Sequence, residues 1–270
     1  MPAFAYIHRY ALALLLAASC LGPATFTFAQ APAPAEKPAA YEPSSGQAGK
    51  DVAWVPTPQV LVDKMLDMAK VTPRDFVMDL GSGDGRTVIT AAKRGVRAQG
   101  IEYNPDMVAL SQRNAEKEGV TARASFMKAD LFETDFSKAS VITMFLLPDI
   151  NLKLRPKILA LRPGTRIVSN SFTMGDWAAD ETANLTANDG CDASWCTALL
   201  WIVPARVAGI HKLPQVELEL KQKFQVLSGT LSSEGKTYAL EGKVRGRDVT
   251  FSAGGKTYTG RMKGKDLQLN

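Results

Sequence analysis

From residue 54 onward, the apolar positions of this chain follow one period and then another. Thr57 and Pro58 read as the N-cap and first position of a helix in which Leu61, Met65, Met68 and Ala69 recur at helical spacing, and Thr72-Pro73 closes it. Phe76-Val77-Met78-Asp79-Leu80 is a short apolar run of buried-strand type. It enters a glycine-rich loop, Gly81-Ser82-Gly83-Asp84-Gly85, followed by a helix carrying Val88, Ile89, Ala91 and Ala92. Further strands are predicted at 98–103, 124–129, 140–147 and 165–169. Between them lie a helix capped by Asn104-Pro105 that stops at Gly119, and one at 152–161 interrupted or restarted at Pro156. Residues 199–203 read as one more strand. Strands alternating with helices in this way predict an α/β, Rossmann-like, doubly wound and mostly parallel sheet.

The period then changes. Val216, Leu218, Leu220, Phe224 and Val226 alternate with Glu217, Glu219, Lys221, Lys223 and Gln225, as in a half-buried antiparallel strand. Gly242-Lys243-Val244-Arg245-Gly246-Arg247-Asp248-Val249 echoes Gly260-Arg261-Met262-Lys263-Gly264-Lys265-Asp266-Leu267. A repeat with such turns predicts a meander or small barrel, so a small antiparallel β module over 206–270 follows an α/β domain over 51–205.

The N-terminus has a different character. His8 and Arg9 precede an apolar run at 11–18 that is short for a membrane span, and Thr27-Phe28-Ala29 fits a small-x-small cleavage site. Residues 1–29 therefore read as a signal peptide. An uncleaved inner-membrane anchor, or a lipid on Cys20, are the alternatives. Residues 30–50, rich in Ala, Pro, Gly and Ser, read as a disordered tether. A periplasmic or secreted destination would leave Cys191 and Cys196, either as disulfide partners or as two free thiols, and two cysteines without neighbouring His make no metal site. With 46% hydrophobic and 22% charged residues, the composition is that of a folded chain with room for a main core and a smaller module. The net charge of +5 is concentrated late, with 12 Lys and Arg against 6 Asp and Glu from Arg206 onward. That asymmetry suits an anionic membrane surface as a partner, or simply a solvated β face.

The candidate chemistry sits at the strand ends. The loop Gly81, Ser82, Gly83, Gly85 follows a strand and opens a helix, which lets backbone approach a ligand closely. Its spacing is Gly-x-Gly-x-Gly, and Asp79 and Asp84 place carboxylates on and beside it. A dinucleotide pyrophosphate would meet repulsion on the order of several kcal/mol there. S-adenosyl-L-methionine carries a sulfonium and an ammonium and no phosphate, and suits such a loop. Glu102, at the end of the second strand, stands where a carboxylate accepts both ribose hydroxyls, and Asp130, followed by Leu131, ends the third strand near an adenine amino group.

Asp79 to Gly85, with Glu102 and Asp130 after it, resembles motif I and the following acidic positions of class I S-adenosylmethionine-dependent methyltransferases. Trp54-Val55-Pro56-Thr57-Pro58 and Phe145-Leu146-Leu147-Pro148 are similar to segments of the ATP-synthase c-subunit lysine methyltransferase family and, more distantly, of Dot1-like enzymes. The resemblance implies that Val55, Pro56 and Thr57 lie over the cofactor, and that the chain N-methylates a lysine of a protein substrate. Phe145, Leu147, Pro148 and Asn151 are the expected acceptor-side residues, and the segment lacks the Asn-Pro-Pro-aromatic signature of amide or adenine acceptors. No nucleic-acid partner is expected. A non-catalytic envelope binding module on the same fold, with the basic β module as contact surface, is the alternative.

Overall fold

The computed structural model describes residues 41–270; the expected signal peptide and residues 30–40 of the expected tether lie outside them. Residues 41–50 depart from the tether expectation. Gly46 N–H donates to the Trp54 carbonyl and Trp54 N–H to the Gln47 carbonyl, so backbone pairing folds this segment onto the one after it.

Seven strands, β1 (Phe76–Leu80), β2 (Arg97–Glu102), β3 (Ala124–Lys128), β4 (Val141–Met144), β5 (Arg166–Asn170), β6 (Glu181–Asn184) and β7 (Thr197–Ile202), form one sheet. Their order is β3-β2-β1-β4-β5-β7-β6. The first five are mutually parallel, while β7 runs antiparallel to β5 and β6 antiparallel to β7. The helices α1 (Gln59–Met68), α2 (Arg86–Lys93) and α3 (Pro105–Lys117) contribute to the core on one face of the sheet, and α4 (Pro148–Leu159) to the core on the other. Alternation within the strands serves both faces. Val77, Val141 and Val168 join the first core, whereas Met78, Ile142 and Ile167 join the second.

Two helix expectations are corrected. α4 begins at Pro148 and continues through Pro156. The missing N–H costs only the bond to the Leu152 carbonyl, on a residue that is itself exposed. At α1 the N-cap position is Pro58, without a side-chain cap. The hydroxyl of Thr57 instead faces Asn170, at the end of β5, whose side-chain amide donates to it at 3.4 Å.

The strands β8 (Gly209–Lys212), β9 (Glu217–Lys223), β10 (Val226–Ser233), β11 (Lys236–Arg245), β12 (Asp248–Ala253), β13 (Lys256–Lys263) and β14 (Asp266–Leu269) follow as an antiparallel meander in sequence order. Leu218, Leu220, Leu227, Leu231, Val249 and Phe251 supply its own core. The sequence repeat becomes two equivalent hairpins, pairing Val244 with Val249 and Met262 with Leu267.

The meander is joined to the α/β sheet through side chains as well as the chain itself. Phe224, in the β9–β10 turn, stacks on the fully buried Trp177 at 5.8 Å. The Gln225 side chain donates to the Ala178 carbonyl, and the Ala205 N–H to the Gly246 carbonyl. Trp177 also packs against Trp201 of β7, whose indole N–H donates to the Trp177 carbonyl. Truncating Trp177 empties the seam between the two sheets. In chemical denaturation, Trp177→Ala is expected to lose about 3–5 kcal/mol. Trp177→Phe should lose much less, because it keeps the ring and removes an indole N–H that has no partner among the described residues.

Candidate active site

The strand order places three carboxyl-bearing tips side by side: Asp79 in β1, Glu102 at the end of β2, and Asp130 just beyond β3. The glycine loop turns over them. Gly81 and Ser82 both donate their N–H to the Ile101 carbonyl of β2, which pins the loop to the sheet edge. Gly83 donates its N–H to one oxygen of Glu102 at 2.9 Å, and Asn104 donates its own to the other. Each oxygen keeps acceptor capacity for a further donor, as two ribose hydroxyls require. Gly83 has φ +52°, and a Cβ there would lie 2.4 Å from the indole nitrogen of Trp54, so the loop backbone and that ring lie in close contact.

Upstream residues cover the loop. Arg86 binds Asp84 through its side chain and donates another N–H to the Thr57 carbonyl, tying α2 to the segment that carries Val55 and Pro56. Asp84 is therefore compensated by a neighbour within the chain. Lys50 pairs with Asp130 and lies over the Tyr103 ring, 4.5 Å from its centroid. The hydrogen bond from Lys50 holds the Asp130 carboxyl below its ordinary value.

Asp79 has no such cationic partner among the described residues. It is buried, and burial pushes its carboxyl up to about 7; the Thr143 hydroxyl, donating at 2.6 Å, opposes the shift, while the charges of Asp84 and Glu102 add to it. The ionised form is thus disfavoured by the fold itself and would be favoured by a bound cation. The donor set fits S-adenosyl-L-methionine: Asp79 for a positive centre, Glu102 for the ribose hydroxyls, and Asp130 with Leu131 for the base.

These groups open on one cleft of about 1070 Å³, a volume that includes solvent at its mouth. Of the residues expected at the cofactor, Val55, Pro56, Thr57, Asp79, Gly81, Ser82, Gly83, Glu102, Asp130 and Leu131 line it, and so does Phe145 from the acceptor side. Four expected site residues do not. Gly85 is the left-handed N-cap of α2, where a Cβ would strike Phe126 and Ser111, so it serves close packing between helix and strand. Leu147, the N-cap of α4, and Pro148, its first residue, are exposed at the surface. Asn151 is fully buried, and its amide donates to the carbonyls of Phe172 and Thr173. Its place one turn into α4 aims it at the chain after β5.

Sequence reasoning passed over Lys50 and Tyr103. Tyr103 directly follows Glu102, and an aromatic ring beside a ribose-binding carboxylate is a signal available from sequence. Lys50 sits in a segment whose composition reads as tether, and only the fold brings it to Asp130.

Because the folded-state pKa of Asp79 lies above its ordinary 3.8, the unliganded native state holds a proton that the unfolded chain releases. The stability linked to that proton is complete below 3.8 and is lost as pH rises through about 7. Asp79→Asn, which keeps an acceptor for Thr143, is expected to be more stable than the parent at pH 8 and equal to it below the lower value. Urea unfolding of both proteins without ligand across this range checks it, and a parent at least as stable as the variant at pH 8 contradicts it.

Comparison with known proteins agrees with this geometry. The family model of the ANTKMT methyltransferase domain matches residues 79–181. A protein-lysine N-methyltransferase of Saccharolobus islandicus is 48% identical over 133 residues, which is 48% of this chain and 83% of that protein. The ATP-synthase c-subunit lysine N-methyltransferase of Homo sapiens is 34% identical over 143 residues, 53% of this chain and 59% of its own length. A crystal structure described as an RNA methyltransferase from Salinibacter ruber, in complex with S-adenosyl-L-homocysteine, is 44% identical and superposes with a TM-score of 0.52. It covers 57% of this chain and 96% of that one. The acidic strand tips, the loop above them and these similarities lead to one assignment: the chain belongs to the class I S-adenosylmethionine-dependent methyltransferases, in the family of the protein-lysine N-methyltransferases.

Proposed function

We propose that this protein transfers the methyl group of S-adenosyl-L-methionine to the ε-amine of a lysine in a protein substrate. The observation that carries the reading is the continuity of the cleft, which is acidic at Asp79, Glu102 and Asp130 and apolar at Phe145 and Leu146, where β4 ends. Two of these relatives are named lysine N-methyltransferases, which supports lysine as acceptor, while the Salinibacter ruber structure is described as an RNA methyltransferase. The alternative of a non-catalytic module is disfavoured, since the matched relatives are named as enzymes.

When bound, the cofactor supplies an electrophilic methyl on a positively charged sulfur. Asp79 supplies the negative charge that holds its cationic end. Glu102 would accept from the ribose hydroxyls, and Asp130 would accept from the amino group of the base. The buried side chain of Leu146, which lines the cleft, disfavours the charged form of an amine brought against it. The bound cofactor would supply a methyl to the lysine nitrogen, its sulfur keeping the electron pair of the C–S bond, and the extra proton on nitrogen would pass to solvent. Holding the nitrogen about 3–3.5 Å from the methyl carbon, in line with the sulfur, would lower the barrier without a dedicated base.

The expected signal peptide supports an exported protein, and the Cys191–Cys196 disulfide supports an oxidising compartment. In that setting the basic residues of the β module suit contact with an anionic membrane surface.

Calorimetric titration tests the cofactor side. Asp79→Ala and Glu102→Ala should each weaken S-adenosyl-L-methionine binding at least tenfold while remaining folded, and unchanged affinity would place the cofactor elsewhere. Parent affinity should rise with pH up to about 7 and level off above it, as Asp79 becomes ionised. A pH-independent affinity would remove Asp79 from the site. Incubation with labelled cofactor and envelope extract, followed by acid hydrolysis, should yield methylated lysine. Label recovered only in RNA would overturn the acceptor class.

A further inference from the structure

Beyond the cofactor cleft, three aromatic rings meet at its acceptor end. Phe145 lines the cleft itself. Phe172 stacks on it with centroids 5.8 Å apart, and Trp195 closes the group at 6.2 Å from Phe145 and 5.2 Å from Phe172. The rings come from three separate stretches of chain: the end of β4, the turn after β5, and the connection between β6 and β7. Phe145 and Phe172 are part-buried, and Trp195 is 39% exposed, so the group is open to an incoming molecule.

Phe172 and Trp195 are held by separate devices. Ser171, just before Phe172, adopts φ +57°, a left-handed conformation that a serine enters at a cost, and the Phe172 carbonyl accepts from both the Ser169 hydroxyl and the Asn151 amide. Asn151 and Ser169 are fully buried and act as positioning residues for that turn. Trp195 lies inside the five-residue separation spanned by the Cys191–Cys196 disulfide, and Cys191 is buried. A strained turn, a buried amide and a covalent bridge thus converge on one set of rings.

We propose that Phe145, Phe172 and Trp195 form the acceptor subsite, a platform that takes the aliphatic stem and the ammonium or methylammonium head of a lysine side chain. The inference rests on the lysine reading above and deepens it. Aromatic faces attract cations through their quadrupole, and flat hydrocarbon surface suits a four-carbon stem. The ring set therefore captures the charged side chain on arrival and holds the methylated product. The disulfide keeps Trp195 on the platform.

Two measurements on the full chain, saturated with cofactor or its demethylated product, test this. In the first, Nα-acetyl-trimethyllysine N-methylamide is titrated into the S-adenosyl-L-homocysteine complex while the Trp195 indole N–H resonance, assigned with Trp195→Phe, is followed. A saturable shift is expected, with at least fivefold weaker binding of the neutral isostere that carries a tert-butyl head. No shift, or equal binding of both probes, overturns the platform. In the second, methyl transfer to poly-L-lysine is measured. Trp195→Ala and Phe172→Ala should raise KM for polylysine at least fivefold with KM for S-adenosyl-L-methionine within twofold of the parent, and Trp195→Phe should restore the acceptor KM. Unchanged acceptor KM in the alanine variants refutes the platform while leaving the lysine reading standing. If the parent does not methylate polylysine, the lysine reading fails, and the resonance titration still decides whether the rings bind a cation.

Discussion

The energetics of this protein turn on a carboxyl group kept where it is least comfortable. Asp79 is buried at the tip of the central strand, beside the charges of Asp84 and Glu102, with the Thr143 and Thr87 hydroxyls in direct support. A fold optimised for stability alone would not leave an acid there. A cation reverses the balance: it favours the ionised form, converting a destabilising group into a binding group. The same arrangement discriminates against a pyrophosphate, and so separates this site from the dinucleotide sites built on similar strand–loop–helix units.

Around that centre the other charges are satisfied by the chain itself. Arg86 neutralises Asp84 and at the same time fastens the loop to the Thr57 carbonyl. Lys50 neutralises Asp130 and lies on Tyr103. The two cases differ in consequence. Arg86 is part of the scaffold and partly buried, whereas Lys50 reaches in from an exposed upstream position and pairs with a carboxylate of the cleft. A neutral amino donor arriving at Asp130 would therefore meet a cationic partner already in place at the sheet edge.

The segment after β5 links the site to the β meander. Phe172 stands at its start among the acceptor-side rings, and Trp177, five residues on, is clamped between Trp201 and Phe224. Asp176 between them pairs with both Arg155 of α4 and Lys223 of the meander. The meander thus braces the stretch of chain that carries Phe172, the ring stacked on the cleft-lining Phe145.

Local pattern alone determined much of this. Apolar runs, the Gly-x-Gly-x-Gly spacing and the acids at successive strand ends were enough to read the doubly wound sheet, the meander and the cofactor's charge, because each is encoded within a few residues of chain. What local pattern could not carry was proximity between distant segments. The composition of residues 41–50 reads as a tether, yet backbone pairing to Trp54 and the Lys50–Asp130 contact make residues 47–50 part of the cleft wall. Asn151 has the residue type of an acceptor contact, and burial against the Phe172 turn makes it a support instead. Whether Cys191 and Cys196 were bonded, and that Trp195 would meet Phe145 and Phe172, depended on how β6 and β7 pack beside β5. The physical reason is common to all three: sequence specifies which chemistry a position carries, and only the closed fold specifies which other group it faces.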